Sequence, residues 1–279
     1  MAKAVKWGLD HRDLDGVRAI GVDEVQWRKG HKYLTLVYQI DGHCQRLLWV
    51  GRDRTVKTFL RFFRMLGKER SATIEFVCSD MWKPYLKVIA KKAGGAIHVL
   101  DRYHIMAKLN AAIDEVRAEE VKRLKQSGAA PVLTHARWCL LKRRENLTAR
   151  QTVKLSELLK CNLKAVRAYL MREDFQRFWE YRSPVWAQRF LSEWCARTMR
   201  SQLEPMKKVA RTLRAHEPLI LNWFRAKGKL SSGVVEGLNT KVKLTFRKSY
   251  GFRTSRAVEL ALYHNFGSLP KPNHAHEFY

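Results

Sequence analysis

Acidic residues are scarce in this sequence, and long apolar stretches are absent. The 279 residues include 26 Asp and Glu against 54 Lys and Arg, a formal net charge of +28. No apolar run approaches the roughly 20 residues that cross a membrane, the longest clear one being Tyr33–Ile40. The N-terminus also lacks the uninterrupted apolar segment of a secretory signal. We therefore expect a cytoplasmic protein without a membrane partner.

Cysteine is also sparse. The five cysteines are odd in number and never occur in a Cys-x-x-Cys spacing, which argues against a disulfide framework and against a thiolate zinc site. We expect most of them to be small buried apolar residues; they are Cys44, Cys78, Cys139, Cys161 and Cys195.

The positive charge belongs to a folded chain. Apolar residues make up 46% of it and aromatic residues 11%, which excludes a disordered polycation. Lys and Arg recur from Arg52 to Lys271, whereas a membrane surface would need one local basic amphipathic helix. A broad basic footprint favours a nucleic-acid partner, bound through counterion release. A cationic surface that only confers solubility is the alternative.

Apolar periodicity predicts an α/β fold in the first hundred residues. Three short strands with tight links predict an antiparallel meander: Ala19–Gln26, Tyr33–Ile40 and Gln45–Val50. Helical and strand-like spacing then alternate, which predicts parallel pairing: helix Thr55–Leu66, strand Thr73–Cys78, helix Pro84–Lys92 and strand Ala96–Leu100. The expected result is a mixed sheet of a three-strand antiparallel meander plus two parallel strands, with flanking helices.

Strand signals stop after Asp101. Residues 102–230 have helical spacing almost throughout, which predicts a large all-helical insertion, and two last helices are predicted at Ser232–Phe246 and Ser255–Phe266. The tryptophans of the insertion are more typical of core than of base stacking: Trp138, Trp179, Trp186, Trp194 and Trp223. The predicted domains are 1–101 as the first part of the α/β core, 102–230 as the insertion, and 231–279 as C-terminal helices that complete the core.

Three carboxylates stand out in this basic chain. Asp23 interrupts an apolar strand, where a charge is costly unless it is paired or bound to a cation. Asp80 ends the fourth strand, and sheets with parallel strands place their sites beyond the carboxyl ends of strands. Glu236 opens a helix. Each has an ordinary alternative: an edge-strand charge for Asp23, a helix cap for Asp80, and a helix-dipole partner for Glu236.

Taken together, the three carboxylates favour a metal site. Hard oxygen ligands on one edge of a sheet suit Mg²⁺ or Mn²⁺, and on a phosphate-attracting surface they point to two-metal phosphoryl transfer. The Glu236 helix packs through Val235, Leu238, Val242 and Phe246 and carries a polar stripe of Glu236, Asn239, Lys243 and Arg247. Such a stripe could hold an ion and grip phosphates, although a solvated helix face is its usual meaning.

Four strings in this order resemble the catalytic domain of insertion-sequence transposases of the ISL-three family. They are Gly-Val-Asp-Glu at 21–24, Cys-Ser-Asp-Met-Trp-Lys-Pro-Tyr at 78–85, Val-Leu-Asp-Arg-Tyr-His at 99–104, and a segment in 232–253 that begins Ser-Gly-Val-Val-Glu-Gly-Leu-Asn and ends Tyr-Gly-Phe-Arg. No single string is diagnostic, but their order agrees with the predicted strands and helices.

The resemblance implies an RNase H-like fold and a DDE active site at Asp23, Asp80 and Glu236, holding two Mg²⁺ or Mn²⁺ ions. It implies cleavage and strand transfer on double-stranded DNA, both transposon ends and target, in the bacterial cytoplasm or nucleoid. A homo-oligomer follows from the need to bring two ends together. Asp101 and His104 are candidates for supporting the ligands, with helix capping as the alternative for Asp101.

Phosphate contacts are expected from the C-terminal helices. Asn239 continues the Glu236 stripe, and Lys243, Arg247 and Arg253 are the best candidates among the basic residues for DNA binding. Any one of 54 basic residues is nevertheless more often ordinary surface.

The sequence departs from the family pattern before Asp23. Full-length relatives carry a zinc-binding segment and a helix-turn-helix region there, and we expect this chain to be a catalytic domain that lacks them. Two other functions remain open on the same residues. One is an RNase H-like nuclease that cuts without joining, and the other is an inactive, truncated DNA-binding remnant or regulator.

Overall fold

The computed structural model of the chain describes residues 1–226 and 233–271. The chain forms two compact units, Met1–Asp101 together with the residues from Ala226 onward, and Arg102–Arg225. The predicted boundary between residues 230 and 231, and Ser232 at the predicted start of a helix, lie outside the described residues.

The first unit is built on one mixed sheet, which has five strands in the described part of the chain. Its strands are β1 (Ala19–Arg28), β2 (Lys32–Asp41), β3 (Cys44–Arg52), β4 (Phe76–Ser79) and β5 (Ile97–Leu100). β2 pairs antiparallel with both β1 and β3, whereas β4 pairs in parallel with β1 and with β5. The order β3-β2-β1-β4-β5 confirms the predicted α/β class and the mixed sheet.

Helices supply the rest of both units. In chain order they are α1 (Ala2–His11), α2 (Val56–Leu66), α3 (Lys68–Ala72), α4 (Lys83–Lys92), α5 (Arg102–Gln126), α6 (Arg137–Leu141), α7 (Ala149–Leu159), α8 (Lys164–Gln176), α9 (Pro184–Met199), α10 (Glu204–Ala215), α11 (Glu217–Ala226), α12 (Gly233–Lys248) and α13 (Ser255–Phe266). Short 3-10 turns lie at Arg144–Asn146 and Arg177–Glu180.

Two features of the first unit differ from the sequence prediction. The strand expected from Thr73 begins at Phe76, because the Thr73 amide and hydroxyl both donate to the Arg70 carbonyl and close the last turn of α3. Helices α1 and α3 were not predicted. α3 has five residues, too few to show an apolar period, and α1 starts without a side-chain cap.

One face of the sheet is covered by α2 and α4. Sheet residues such as Ile20 and Val22 pack there with the α2 phenylalanines and with Tyr85, Val88 and Ile89 of α4 in a single apolar cluster. A Thr55 hydroxyl that accepts from the Thr58 amide starts α2. Because strand side chains alternate, Gly21 and Asp23 face away from this cluster.

The other face carries α12 over β1 and β2, while α13 packs against β3. Gly21 is buried beneath Val235 of α12, and a Cβ atom built on Gly21 would collide with Val235 Cγ2. The missing side chain therefore lets α12 approach β1 closely. On β3, the Val50 amide donates a hydrogen bond to Tyr263 Oη of α13, at 3.1 Å.

The second unit is helical throughout Arg102–Arg225. Its centre is aromatic, with the ring of Phe175 in contact with those of Phe178 and Trp194. Trp179 is buried there as expected, whereas Trp138 and Trp186 are exposed, 52% and 58% respectively. Buried Glu120 of α5 accepts hydrogen bonds from the backbone amides of Lys164 and Ala165 and so caps the start of α8.

The cysteines follow the prediction. Cys78, Cys139 and Cys195 are buried, Cys44 and Cys161 are partly buried, and all five are free thiols.

Gly21→Ala should lower the free energy of unfolding by about 1–3 kcal/mol, because the added methyl group overpacks the contact with Val235. Urea denaturation measures it. Gly42→Ala is the matched control, since a Cβ there meets nothing within 4 Å, and adding Val235→Ala should restore part of the loss. Equal loss in both single variants would contradict the close packing of α12 on β1.

Candidate active site at the strand ends

Asp23 lies on β1 and points toward α12. Its carboxylate Oδ1 accepts a hydrogen bond from the Glu24 amide at 2.8 Å, and Oδ2 accepts one from Asn239 Nδ2. Asp23 is thus the paired charge that its place in an apolar strand requires.

Asn239 extends this contact to β2. It is only 4% exposed, and its Oδ1 accepts a hydrogen bond from Tyr38 Oη at 2.7 Å. Tyr38 is itself buried, and its burial, then the nearby negative charge of Asp23, raise its pKa well above the usual value. It therefore stays a protonated donor. The predicted role of Asn239 as a DNA contact needs correction, because its amide is interior and bonded on both sides.

Asp80 follows β4 and has two protein partners. Oδ1 accepts from the backbone amide of Trp82 at 2.9 Å, just before α4, and Oδ2 accepts from Arg54 Nη2 at 2.9 Å. The Arg54 guanidinium also lies over the Trp82 ring, 4.5 Å from its centroid. Asp80 therefore shapes the turn before α4 without being its cap, since Trp82 holds the N-cap position, and a cation binds Asp80 as well.

Glu24 shares the same arginine. Its Oε1 lies 2.9 Å from Arg54 Nε, and its side chain is 8% exposed. Burial first, then the charge of Asp80, raise the pKa of Glu24 to about 7, against the opposing effect of Arg54. Tyr85 contacts Glu24 from α4 and is hydrogen-bonded to Thr35, with 2.8 Å between the two hydroxyl oxygens. The side chains of Asp23 and Glu24 thus lie on opposite faces of β1.

Glu236 lies in the first turn of α12 and is exposed. Its helix turn is placed by Val235 against Gly21 and by Asn239 against Asp23. In residues 1–226 and 233–271, no group of three or more His, Cys, Asp or Glu side chains is arranged to hold a metal ion. The structure therefore ties the helix of Glu236 to Asp23 without gathering the three predicted ligands into a finished site.

The donor chemistry at the strand ends nevertheless fits a hard divalent cation. The last parallel pair of β1 and β4 is Gly21 with Cys78, so Asp23 and Asp80 lie two residues further on along neighbouring strands. Carboxylate oxygens such as those of Asp23 and Asp80 are the ligands that hard divalent cations prefer. Burial, then the charges of Asp101 and Asp23, raise the pKa of Cys78 well above its usual value, so this thiol stays protonated.

The supporting candidates lie in different units. Asp101 is buried directly after β5, and its amide donates to the Ser79 carbonyl at 2.8 Å. His104 belongs to α5, partly buried beside Tyr103, with ring centroids 5.5 Å apart.

The remaining predicted DNA contacts are on the surface. Lys243 and Arg247 are exposed on α12, and Arg253 is exposed in the loop to α13. That loop makes a constrained turn, because Tyr250 and Gly251 both have positive φ angles, 50° and 89°. The stripe is therefore split, with Asn239 inward and the cations outward.

Sequence reasoning missed the residues that support the carboxylates. Arg54 and Tyr38 come from elements that no local pattern links to Asp80 or Asp23. The inward position of Asn239 could have been found, because it lies four residues after Val235 and three before Val242, on the packed side of the helix. Ser79 and His98, joined at 2.7 Å below the strand ends, also went unnoticed.

Comparison with known proteins identifies the family. A family model for ISL3 transposases of the DDE type, described as "Transposase", matches residues 20–262. The chain therefore belongs to the ISL3 family of DDE transposases, which confirms the resemblance seen in its motifs.

Named relatives agree with this assignment. The chain is 31% identical over 243 residues to the transposase for insertion sequence element IS1001 of Bordetella parapertussis, covering 86% of this chain and 59% of that protein. It is 29% identical over 277 residues to the transposase for insertion sequence element IS1557 of two Mycobacterium tuberculosis strains, and the match covers 90% of this chain and 61% of that protein. The chain thus spans about 60% of the length of these curated relatives.

None of the helices that the structure describes combines the length and the apolar character needed to cross a membrane.

Glu24→Gln should change the pH dependence of stability. The pKa of Glu24 rises from 4.5 to about 7 on folding, so the folded state retains a proton that the unfolded state has lost. Between these values, the stability of the unchanged chain should fall with rising pH relative to Glu24→Gln.

Denaturation at several pH values with a metal chelator measures this difference, with exposed Glu69→Gln as the control. The buried position of Glu24 would be contradicted if the difference in unfolding free energy between the two chains stayed constant with pH. It would also be contradicted if that difference shifted in favour of the unchanged chain as the pH rises.

Proposed function

We propose that this chain carries the catalytic centre of a DNA transposase, which cleaves a phosphodiester at a transposon end and joins the resulting 3′-hydroxyl to target DNA. Membership of the ISL3 family supports the class. The observation that supports the site is the hydrogen bond from Asn239 to Asp23, which ties the helix of Glu236 to β1, the strand that pairs with β4 just before Asp80.

The fold proposed for this centre is RNase H-like. An antiparallel β1–β3 meander followed by parallel β4 and β5, with helices on both faces, supports it. We propose that residues 1–101 and 231–279 form this catalytic core and that 102–230 are a helical insertion. The all-helical composition of Arg102–Arg225 supports the insertion.

Asp23, Asp80 and Glu236 are the residues that would hold two divalent cations, Mg²⁺ or Mn²⁺. When bound, such ions supply activation of the attacking oxygen and stabilisation of the leaving one. Asn239 and the Glu24 amide orient the Asp23 carboxylate, while Arg54 and the Trp82 amide orient that of Asp80. Asp101 and His104 are proposed as further supports.

Double-stranded DNA is the proposed partner. The net charge of +28 supports binding to phosphates, and exposed Lys243, Arg247 and Arg253 follow Glu236 along the same segment. The relatives are named as transposases for insertion sequence elements, whose two ends must be joined to target. We therefore propose a homo-oligomer that holds both ends.

Asp80→Asn and Glu236→Gln should each reduce metal-dependent cleavage and joining by about a hundredfold or more, because each removes a ligand charge. Salt-dependent DNA binding should persist in both variants. Short end duplexes, with and without a pre-cut 3′-hydroxyl, separate cleavage from joining in Mg²⁺ and Mn²⁺.

Asp10→Asn is the control for these variants, since Asp10 is an exposed carboxylate on α1. Cleavage without joining would identify a nuclease instead of a transposase. Unchanged cleavage in Asp80→Asn would overturn the assignment of the site.

Lys243→Ala with Arg247→Ala should weaken DNA binding and reduce the slope of log affinity against log salt concentration by about 2, since each phosphate contact contributes about 0.9. The control pair is Lys87→Ala with Lys91→Ala, two exposed cations of α4, which packs on the opposite face of the sheet. Fluorescence anisotropy over a salt series measures both pairs. An equal change in the two slopes would place the DNA elsewhere.

A further inference from the structure

We propose that Asn239 is a positioning residue that locks the Asp23 carboxylate to the helix carrying Glu236, with Tyr38 fixing the orientation of its amide. The inference rests on the proposed function, because it assigns a role toward the divalent cations of that site. Its structural basis is the continuous chain of hydrogen bonds from Tyr38 to Asn239 to Asp23.

The chemistry of the partners fixes which way the amide points. An ionised carboxylate only accepts hydrogen bonds, so the NH₂ group of Asn239 must face Asp23. The amide oxygen then faces Tyr38, whose hydroxyl donates to it at 2.7 Å. Reversing the amide would set its oxygen against a carboxylate oxygen, so one orientation is strongly favoured.

Packing indicates that Asn239 does more than stabilise the fold. Its neighbours on the buried side of α12 are Val235, Leu238 and Val242, an apolar face into which a leucine would fit by chemistry. A buried amide is tolerated there only because both of its ends are hydrogen-bonded. An apolar replacement that removes the amide would give up orientation rather than packing.

Two predicted ligands are fixed by the one amide. Asp23 has its Oδ2 held by Asn239 and its Oδ1 held by the Glu24 amide, which restricts rotation of the carboxylate. Glu236 lies three residues before Asn239, so the two are neighbours on the helix surface. Anchoring Asn239 to β1 therefore also sets how far the Glu236 turn lies from Asp23.

The experiment measures Mn²⁺ binding by electron paramagnetic resonance titration, together with urea denaturation, on the full chain. Asn239→Leu should weaken Mn²⁺ binding by about 10–100-fold in a chain that urea denaturation shows to be folded, as loss of a residue that orients a metal ligand typically does. It should also lower the denaturation midpoint, because Asp23 and the buried Tyr38 hydroxyl each lose the hydrogen bond to the amide. Tyr38→Phe should weaken binding in the same direction by a smaller factor.

Two controls make the result decisive. Tyr263→Phe removes a buried hydroxyl that accepts from the Val50 amide of β3, away from Asp23, and should leave Mn²⁺ binding unchanged. Asp23→Asn should abolish the binding that the proposed function requires. If Asn239→Leu does not fold, Asn239→Ala and Tyr38→Phe carry the same comparison.

The outcomes separate the two levels of the proposal. Mn²⁺ binding that is lost in Asp23→Asn but unchanged in the Asn239 and Tyr38 variants would overturn the positioning role and leave the site intact. Binding that Asp23→Asn does not affect would overturn the proposed function and the inference together. Weakening in Tyr263→Phe equal to that in Tyr38→Phe would also overturn the positioning role, because the effect would then be general.

Discussion

The architecture of the first unit depends on how a carboxylate is accommodated inside an apolar strand. Asp23 would be costly on β1 without a partner, and its partners are the next backbone amide and Asn239 of α12. That requirement fixes α12 against the sheet at one point, and Gly21 beneath Val235 fixes it at another. The resulting close contact holds the helix turn of Glu236 over Gly21 and Asp23 of β1. The Asp23 carboxylate thus connects β1, α12 and the candidate active site.

The neighbouring Glu24 is a second carboxylate in β1, and its side chain lies on the opposite face of the sheet. Strand alternation directs it away from α12 and toward Arg54, which also holds Asp80. One guanidinium, stacked on Trp82, therefore compensates a buried carboxylate and a predicted metal ligand together. Two adjacent acidic residues in β1 are thus supported by two different elements, Asp23 by Asn239 of α12 and Glu24 by Arg54 of the loop between β3 and α2. This division explains how several like charges can lie near the middle of β1 and the end of β4 in a folded protein.

Elements with a clear apolar period could be predicted from sequence. The three-strand meander, the parallel strands and α13 repeat strongly enough to be found locally, and Asp23, Asp80 and Glu236 stood out because acidic residues are rare here. The contacts that orient those carboxylates could not be found in this way. Arg54 contacts Asp80, and Tyr38 contacts Asn239, only because folding brings distant parts of the chain together. Asn239 was placed outward because its polarity outweighed its position on the packed side of α12.

The central claim is that Asp23, Asp80 and Glu236 hold divalent cations at one place. The most direct test is a crystal structure of the chain bound to a short end duplex and soaked with Mn²⁺, read through anomalous scattering. The account predicts anomalous peaks in contact with the carboxylates of Asp23 and Asp80, with Glu236 of α12 completing the ligands. Well-ordered DNA in the crystal with Mn²⁺ bound elsewhere, and none at Asp23 and Asp80, would contradict it.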